Sequence, residues 1–313
     1  MEEIVNKKEK WLKAIEQYPD IPIFMHNWWM DAVSAGKQWD MLMSLDKNGE
    51  VRAAMPYMYN KKWGMKYISM PVHTFYGGIW LRWDIKENLM LVKQVCEDFA
   101  KQLKELKLAY YSQLYTIGSP CADIMKSLGF RVKQKTAYRI EDLNNLNDLL
   151  NSFSKNKKKQ LQKALALNVS NNISSEDFYV FFSENAEKKG KKTDITREDF
   201  LVLYNKAIRN EQGQLLSITD QQGNTLSAAF LVWDKRSLYL LKQSTAVDAK
   251  SSGAGELLVW EAIKEAEKRK LQFDFCMTDK DDCKQFMANN TTFTNISKYY
   301  NFLFFFTKLF NKI

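Results

Sequence analysis

The chain has 313 residues, a length at which two domains are expected, and 45% of its residues are hydrophobic, enough to fill two packed cores. Five prolines and 12 glycines are too few for a long disordered linker. The net charge of +9 favours an anionic partner, such as a nucleotide-linked donor, tRNA or a membrane surface, or else reflects a lysine-rich surface. Only eight of the basic residues are arginines. Proteins that recognise DNA sequences usually rely on bidentate contacts from arginine, so DNA binding is not expected.

The cysteines and histidines predict a reducing environment and argue against a metal site. The four cysteines have no Cys-x-x-Cys spacing and there are only two histidines, which argues against zinc binding and against a Cys/His nucleophile. Free thiols fit the cytoplasm. The charged segment Met1 to Lys13 lacks the apolar region of a signal peptide. We therefore expect a cytoplasmic protein.

In the first half, periodicity and turn residues predict a mixed α/β domain. A hairpin turns at Asp46–Gly49, and a loop at Pro71–Gly78 precedes a long amphipathic helix. Asn27 is the expected N-cap of the second helix. The predicted helices are Val5–Gln17, Phe24–Val33, Lys86–Leu106 and Pro120–Leu128. The predicted strands are Met41–Leu45, Val51–Tyr59, Lys66–Met70, Ala109–Tyr115 and Arg131–Ile140.

The second half repeats this order of elements. A second hairpin turns at Asp220–Gly223, and a glycine-bearing loop again leads into a helix and a strand. The predicted strands are Leu215–Ile218, Thr225–Val232, Leu238–Ser244 and Gln272–Met277, and the helix is Gly255–Arg269. A repeated order of elements with little sequence identity is typical of an old duplication. The residue patterns that β-hairpins share can also produce such a repetition by chance. The predicted domains are 1–140 and 171–313, joined by a helical connector, 141–170.

The connector carries the basic run Lys155-Asn156-Lys157-Lys158-Lys159, with Ser154 as the expected N-cap. This helix either presents a solvated face or forms an electropositive patch for a substrate phosphate.

The aromatic run Phe302–Phe306 is far short of the roughly 20 residues that cross a bilayer. We therefore predict no transmembrane segment. A buried final strand is favoured, and the alternative is peripheral membrane contact by a tail that Lys308 and Lys312 flank.

The loop Lys250–Gly255 is the expected phosphate site. Glycines at the start of a helix let the backbone approach an oxyanion, which the exposed N–H groups and the helix dipole stabilise. Where the strand before this loop separates from the strand after the helix, backbone groups become available to an extended ligand. The predicted donor-binding residues are Lys242, Gln243, Ser244, Lys250, Ser251, Ser252, Gly253, Ala254 and Gly255.

This order of elements resembles the GNAT acyltransferase fold, whose loop has the pattern Arg/Gln-x-x-Gly-x-Gly/Ala. Over most of its length the chain resembles the FemABX-like branch, in which two GNAT-like domains lie in tandem. The resemblance is carried by the segments Ser69–Pro71, Phe75–Gly78, Phe153–Ala164, Asp220–Gly223, Leu257–Ala266 and Phe273–Phe275. The chain departs from the family at Cys276-Met277-Thr278-Asp279, where the pattern has glycine.

The resemblance implies transfer of an acyl or aminoacyl group to an amine. In the best-known branch the donor is aminoacyl-tRNA and the acceptor a cell-wall precursor, and in others the donor is an acyl-CoA. No tightly bound cofactor is implied. We expect direct transfer, since no Cys or Ser nucleophile is evident.

The expected catalytic residues are Asp274 as general base and Tyr299 as donor of a proton to the leaving group. The alternative for Tyr299 or its neighbour Tyr300 is a place in the core. Asp274 lies between two phenylalanines, whose burial would raise its pKa; the alternative is a structural carboxylate. His73, Tyr76 and Gly77 are the expected acceptor-binding residues of an interdomain cleft. The rival hypothesis is a non-catalytic protein of the same fold that binds RNA or a membrane surface through its basic connector.

Overall fold

A computed structural model describes residues 2–34, 36–276, 281–286 and 289–301. The described chain forms two compact units. One combines the residues up to Lys135 with those from Thr292 onward, and the other is Thr136–Thr291. The predicted boundaries differ from this division, because the last described strand pairs within the first unit and the basic connector packs within the second.

The first unit is built on a mixed sheet. In chain order its elements are α1 (Glu2–Gln17), α2 (Asn27–Val33), β1 (Trp39–Leu45), β2 (Val51–Lys62), β3 (Met65–Ile68), β4 (Trp80–Leu81), α3 (Trp83–Lys86), α4 (Leu89–Glu105), β5 (Tyr110–Tyr115) and α5 (Cys121–Ser127). The chain then enters β6 (Arg131–Ile140), within which the second unit begins.

The second unit continues with a sheet on which the longest of its helices packs. Its elements are α6 (Leu146–Ser152), α7 (Lys155–Lys163), β7 (Asn168–Ser170), α8 (Ser175–Lys188), α9 (Arg197–Arg209), β8 (Gly213–Thr219), β9 (Thr225–Trp233), β10 (Ser237–Thr245), α10 (Ala254–Lys268) and β11 (Gln272–Asp274). β12 (Asn289–Tyr299) follows and enters the first unit at Thr292.

The two units share one strand topology, which confirms the predicted repetition. In the first, β1, β2 and β3 are antiparallel and β5 joins β3 in parallel. In the second, β8, β9 and β10 are antiparallel and β11 joins β10 in parallel. Both predicted hairpin turns are present, with Gly49 and Gly223 at φ 79° and 85°.

The hydrophobic cores follow the helical periodicity that the sequence shows. On α4, the buried side chains are Val92, Val95, Cys96, Phe99 and Leu103, and Asn88 caps the helix by accepting hydrogen bonds from two backbone N–H groups. On α10, the buried positions recur at three- and four-residue spacing and face β8, β9 and β10. Each unit therefore buries the apolar face of a long helix against its sheet.

Several elements differ from the sequence prediction. Asn27 is the first residue of α2 rather than its cap, and its side-chain amide donates to the Lys8 carbonyl (2.9 Å). The helices α8 and α9 and the strand β7 were not predicted, although Ser174 and Thr196 cap the two helices. The strand predicted at Gln272–Met277 contains only Gln272–Asp274, and Met277 and the aromatic run Phe302–Phe306 lie outside the described residues.

Gly253 has a packing role in the second unit. Its φ is +82°, and a Cβ atom there would overlap the backbone carbonyl oxygen of Gln160 on α7 and lie 3.2 Å from the Ala164 Cβ. The glycine therefore allows α7 to contact the turn that begins α10.

We predict that Gly253→Ala destabilises the second unit by at least about 2 kcal/mol, because it adds a steric clash to left-handed strain. Gly223→Ala is the matched control, since Gly223 has φ +85° but nothing lies within 4 Å of its missing Cβ. The control is expected to cost about 1 kcal/mol. Urea denaturation followed by circular dichroism measures both, and equal losses would contradict the packing role.

Candidate functional site

Strand β10 separates from β11 after only a few residues. In their parallel pairing, Ser237 lies opposite Gln272 at one end and Tyr239 lies opposite Asp274 at the other. β10 continues to Thr245 along its other neighbour, β9. The register between β10 and β9 shifts between Leu240 and Lys242, so Leu241 is an extra residue. Beyond Tyr239, the β11-facing edge of β10 is therefore available to an extended ligand, as the sequence analysis predicts.

A cavity of about 740 Å³ lies where the two strands separate. Five lysines and two carboxylates line it, together with apolar side chains, two cysteines and polar groups of β10. The charged residues are Lys157, Lys189, Lys191, Lys242, Lys250, Asp194 and Glu256. The remaining lining residues include Gln243, Ser244, Gly255, Val259, Phe275, Cys276, Cys283 and Phe286. An excess of cations in a concave site favours an anionic ligand.

The predicted donor-binding residues divide into two groups. Lys242, Gln243, Ser244, Lys250 and Gly255 line the cavity. Ser251, Ser252, Gly253 and Ala254 instead form the turn that begins α10, in which the Ser252 hydroxyl accepts from the Ala254 N–H (3.1 Å). The contact between Gly253 and Gln160 described above covers one side of this turn.

The basic connector contributes one buried lysine to the cavity. Lys157 on α7 donates to Glu256 in the first turn of α10 (2.9 Å), and its ammonium lies 4.9 Å from the centre of the Phe286 ring. The neighbouring Lys155, Lys158 and Lys159 are exposed. A carboxylate near the N-terminus of a helix is stabilised by the helix dipole. The pair therefore fixes α7 against α10 and places both charges at the cavity wall.

Lys242 lies directly after the bulge and donates to Asp194 in the loop between α8 and α9. Its side chain is 12% exposed, and its ammonium lies 5.7 Å from the centre of the Phe182 ring. Burial lowers the pKa of Lys242 below its ordinary value, and hydrogen bonding to Asp194 opposes this effect without cancelling it. A cavity ammonium with a lowered pKa is a stronger acid than a surface lysine.

Two thiols that are not among the predicted site residues also line the cavity, Cys276 and Cys283. Burial raises the pKa of Cys276 well above its ordinary value, so this side chain is a neutral thiol and a poor nucleophile. Its φ is +52°, a conformation that favours glycine. Cys276 therefore has the left-handed backbone conformation typical of glycine, at the position where the sequence departs from the FemABX-like pattern.

Asp274 does not line the cavity and has structural partners. It is fully buried; Oδ2 accepts from Arg139 Nη2 (2.8 Å) and Nε (3.1 Å), and Oδ1 accepts from the Cys276 N–H (2.8 Å). These contacts connect β6, β11 and the segment that follows β11. The geometry favours the structural carboxylate over the predicted general base.

The other predicted site residues pack within the first unit. Tyr299 on β12 lies against Tyr110, with ring centres 4.6 Å apart. Tyr76 is 2% exposed and contacts Phe24 and Phe293 through its ring. His73 is 8% exposed with φ +61°, and the Gly77 N–H donates to the Leu114 carbonyl (2.7 Å). None of these four residues lines the cavity described above.

Sequence reasoning missed the contribution of the α8–α9 loop, which supplies Lys189, Lys191 and Asp194. One available signal was the Thr196-x-x-Asp199 spacing, in which Thr196 accepts from the Asp199 N–H (3.1 Å) and begins α9. That signal identifies the helix, but it does not reveal that the preceding loop reaches β10.

Residues 151–284 match the model of an acetyltransferase (GNAT) domain. A search of curated proteins gave no match. Among solved structures, FemX is similar over 92% of this chain and 95% of its own, with a TM-score of 0.71 and 14% identity. The chain has the tandem GNAT fold.

Two further solved structures are similar to this chain. A tandem GNAT protein from the clavulanic acid biosynthesis pathway aligns with a TM-score of 0.55 and 9% identity, over 94% of each chain. The C-terminal domain of a putative lysylphosphatidylglycerol synthetase from Agrobacterium fabrum also has a TM-score of 0.55, with 10% identity, and covers 94% of this chain and 92% of that domain. The cavity thus lies in the second GNAT domain of the tandem fold.

In the described residues, no helix combines the length and the apolar character needed to cross a bilayer.

We predict that Lys242 titrates below the exposed lysines, because its burial in the second GNAT domain disfavours the charged form. Asp194→Asn should lower the pKa of Lys242 further, since it removes the carboxylate that stabilises the ammonium. Reductive ¹³C-methylation of the lysines followed by NMR titration measures the pKa of Lys242 in the parent chain and in Asp194→Asn. The Lys242 resonance is assigned as the signal that is missing from the spectrum of Lys242→Arg. A higher Lys242 pKa in Asp194→Asn would contradict this account.

We also predict that Arg139→Met destabilises the second GNAT domain by about 3 kcal/mol or more, because it leaves the Asp274 carboxylate buried without its guanidinium. The double variant Arg139→Met/Asp274→Leu should recover much of this loss, since neither charge then remains. Urea denaturation of both variants checks the expectation. A double variant as unstable as Arg139→Met would show that the ion pair is not the main contribution.

Proposed function

We propose that the chain is an acyltransferase that moves an acyl or aminoacyl group from a phosphate-bearing donor to an amine. The donor would be an acyl-CoA or an aminoacyl-tRNA. The observation that carries the proposal is the lysine-lined cavity between the separated strands β10 and β11. Its position beside the open edge of β10 and the start of α10 suits a ligand with an extended portion and an anionic portion.

The donor phosphates would lie against Lys250, Lys189 and Lys191, which are exposed at the cavity. The acyl portion would follow the open edge of β10, where backbone N–H groups can donate to its carbonyl oxygen and polarise it. Gln243 and Ser244 belong to this edge. We place the donor in the second GNAT domain on this basis.

Direct transfer is the mechanism that the site supports. The buried Cys276 thiol has a raised pKa, which disfavours a covalent thioester intermediate on that side chain. The amine would therefore attack the acyl carbonyl of the bound donor, and alignment of the two substrates would supply much of the rate enhancement.

The acceptor and the location of the reaction belong to the same proposal. The resemblance to FemABX-like enzymes makes the amine of a cell-wall precursor the first acceptor to test. We place the reaction in the cytoplasm, where the four buried free cysteines would remain reduced.

We predict that Lys250→Ala weakens donor binding about 5- to 10-fold, because it removes one cation–phosphate contact from the cavity. Calorimetry with acetyl-CoA, and separately with aminoacyl-tRNA and uncharged tRNA, measures this effect and distinguishes the two donor classes. The matched control is Lys268→Ala, the same charge change at the opposite end of α10. Equal effects of the two variants, or no donor binding by the parent protein, would contradict the proposal.

A second function is favoured by the outer face of α7. The exposed lysines Lys155, Lys159 and Lys163 have no carboxylate partner among the described residues, so this face is a cationic surface. It would suit a non-catalytic protein that binds RNA or an anionic membrane. RNA binding that falls steeply with salt, with no turnover of either donor, would support this alternative.

A further inference from the structure

The carboxylate of Asp194 lies at the cavity, beside the portion of β10 that is not paired with β11. We propose that Asp194 binds the acceptor as a primary ammonium group and takes a proton from it during acyl transfer. This inference rests on the proposed function, since it places the second substrate of that reaction at the same cavity.

Two carboxylates line this cavity, and they differ in accessibility. Glu256 is 19% exposed and forms the ion pair with Lys157 at the start of α10. Asp194 is 60% exposed. Asp274, the carboxylate that the sequence favours, is fully buried and held by Arg139. Asp194 is therefore the cavity carboxylate that an entering amine can reach.

The loop that carries Asp194 is attached on both sides of this residue. Before it, the Lys189 ammonium donates to the Thr245 carbonyl at the end of β10 (3.1 Å). After it, the Tyr179 hydroxyl donates to the carbonyl of the buried Ile195 (3.2 Å), and Thr196 caps α9. These contacts position the carboxylate before any substrate arrives, which lowers the cost of ordering it.

The surroundings of Asp194 already hold an alkylammonium, that of Lys242. An ionised carboxylate has several acceptor positions on its two oxygens and can bind more than one N–H donor. A substrate ammonium bound beside Lys242 would also experience repulsion between like charges. Such repulsion favours the neutral amine, which is the nucleophilic form.

In the proposed reaction, deprotonation of the bound acceptor comes before attack on the acyl carbon. The ammonium gives one proton to Asp194, and the nitrogen lone pair then forms a C–N bond to the acyl carbon while the C=O π pair moves to oxygen. When this intermediate collapses, the C–S or C–O bond to the donor breaks, and the leaving group takes that electron pair. Lys242 protonates the leaving group and is reprotonated by the nitrogen, and Asp194 returns its proton to water.

The test compares three variants of the full chain: Asp194→Asn, Asp194→Ala and the control Asp248→Asn, an exposed carboxylate of the same unit that does not line the cavity. The donors are acetyl-CoA and aminoacyl-tRNA, and the acceptors are glycinamide and a lysine-containing peptide. Donor affinity, donor hydrolysis without amine, and amide formation are measured separately, and thermal melting checks folding.

We expect Asp194→Asn to lower kcat/KM for the amine by at least about 100-fold, with donor affinity close to that of Asp248→Asn. Added formate should partly restore amide formation to Asp194→Ala, because it replaces the missing carboxylate. Amide formation by Asp194→Asn within about threefold of the control, or the absence of formate rescue, would overturn the inference. A parent chain that neither binds nor hydrolyses either donor would instead overturn the proposed function, and this inference with it.

Discussion

The site depends on the unequal pairing of one strand. β10 is hydrogen-bonded to β9 along its length, but it pairs with β11 at only three positions. In these pairs Ser237, Leu238 and Tyr239 lie opposite Gln272, Phe273 and Asp274. A buried backbone edge must find hydrogen-bond partners elsewhere, in a ligand, water or a side chain. The bulge at Leu241 shifts the register just where the strands separate. The cavity and the positions of Lys242, Gln243 and Ser244 all follow from this geometry.

Two ion pairs line the cavity beside this open edge. Lys157–Glu256 joins α7 to the start of α10, and Lys242–Asp194 joins β10 to the α8–α9 loop. Each lies at the cavity wall, where a partly desolvated charge is costly without a partner. The cavity therefore has a net cationic lining in which the two innermost lysines are paired with carboxylates of the chain, while the exposed Lys191 and Lys250 are available to a substrate anion.

Much of the fold could be predicted from the sequence, because it depends on local patterns. The turns Asp46–Gly49 and Asp220–Gly223, the apolar faces of α4 and α10, and the order of the strands are all encoded by residues close together in the chain. The repetition of that order indicated two similar halves, and the resemblance to the FemABX-like branch implied the tandem arrangement.

The candidate site was less accessible to sequence reasoning, because long-range contacts decide it. Asp274 has the surroundings expected of a general base, two flanking phenylalanines, but Arg139 is 135 residues away in sequence and pairs with it. Among the connector lysines, only the fold determines that Lys157 faces inward. Asp194 has no distinguishing sequence context, and its importance comes from the approach of its loop to β10.

The contact between Gly253 and Gln160 affects how the Gly-x-Gly loop should be interpreted in proteins with this arrangement of α7 and α10. A glycine in such a loop is usually explained by its ligand, since the backbone must approach a phosphate. Here the packing of two helices requires the same glycine even when no ligand is bound. Selection for folding alone would preserve Gly253, so a homologue that has lost its substrate would still retain this glycine, which therefore cannot serve as a marker of activity.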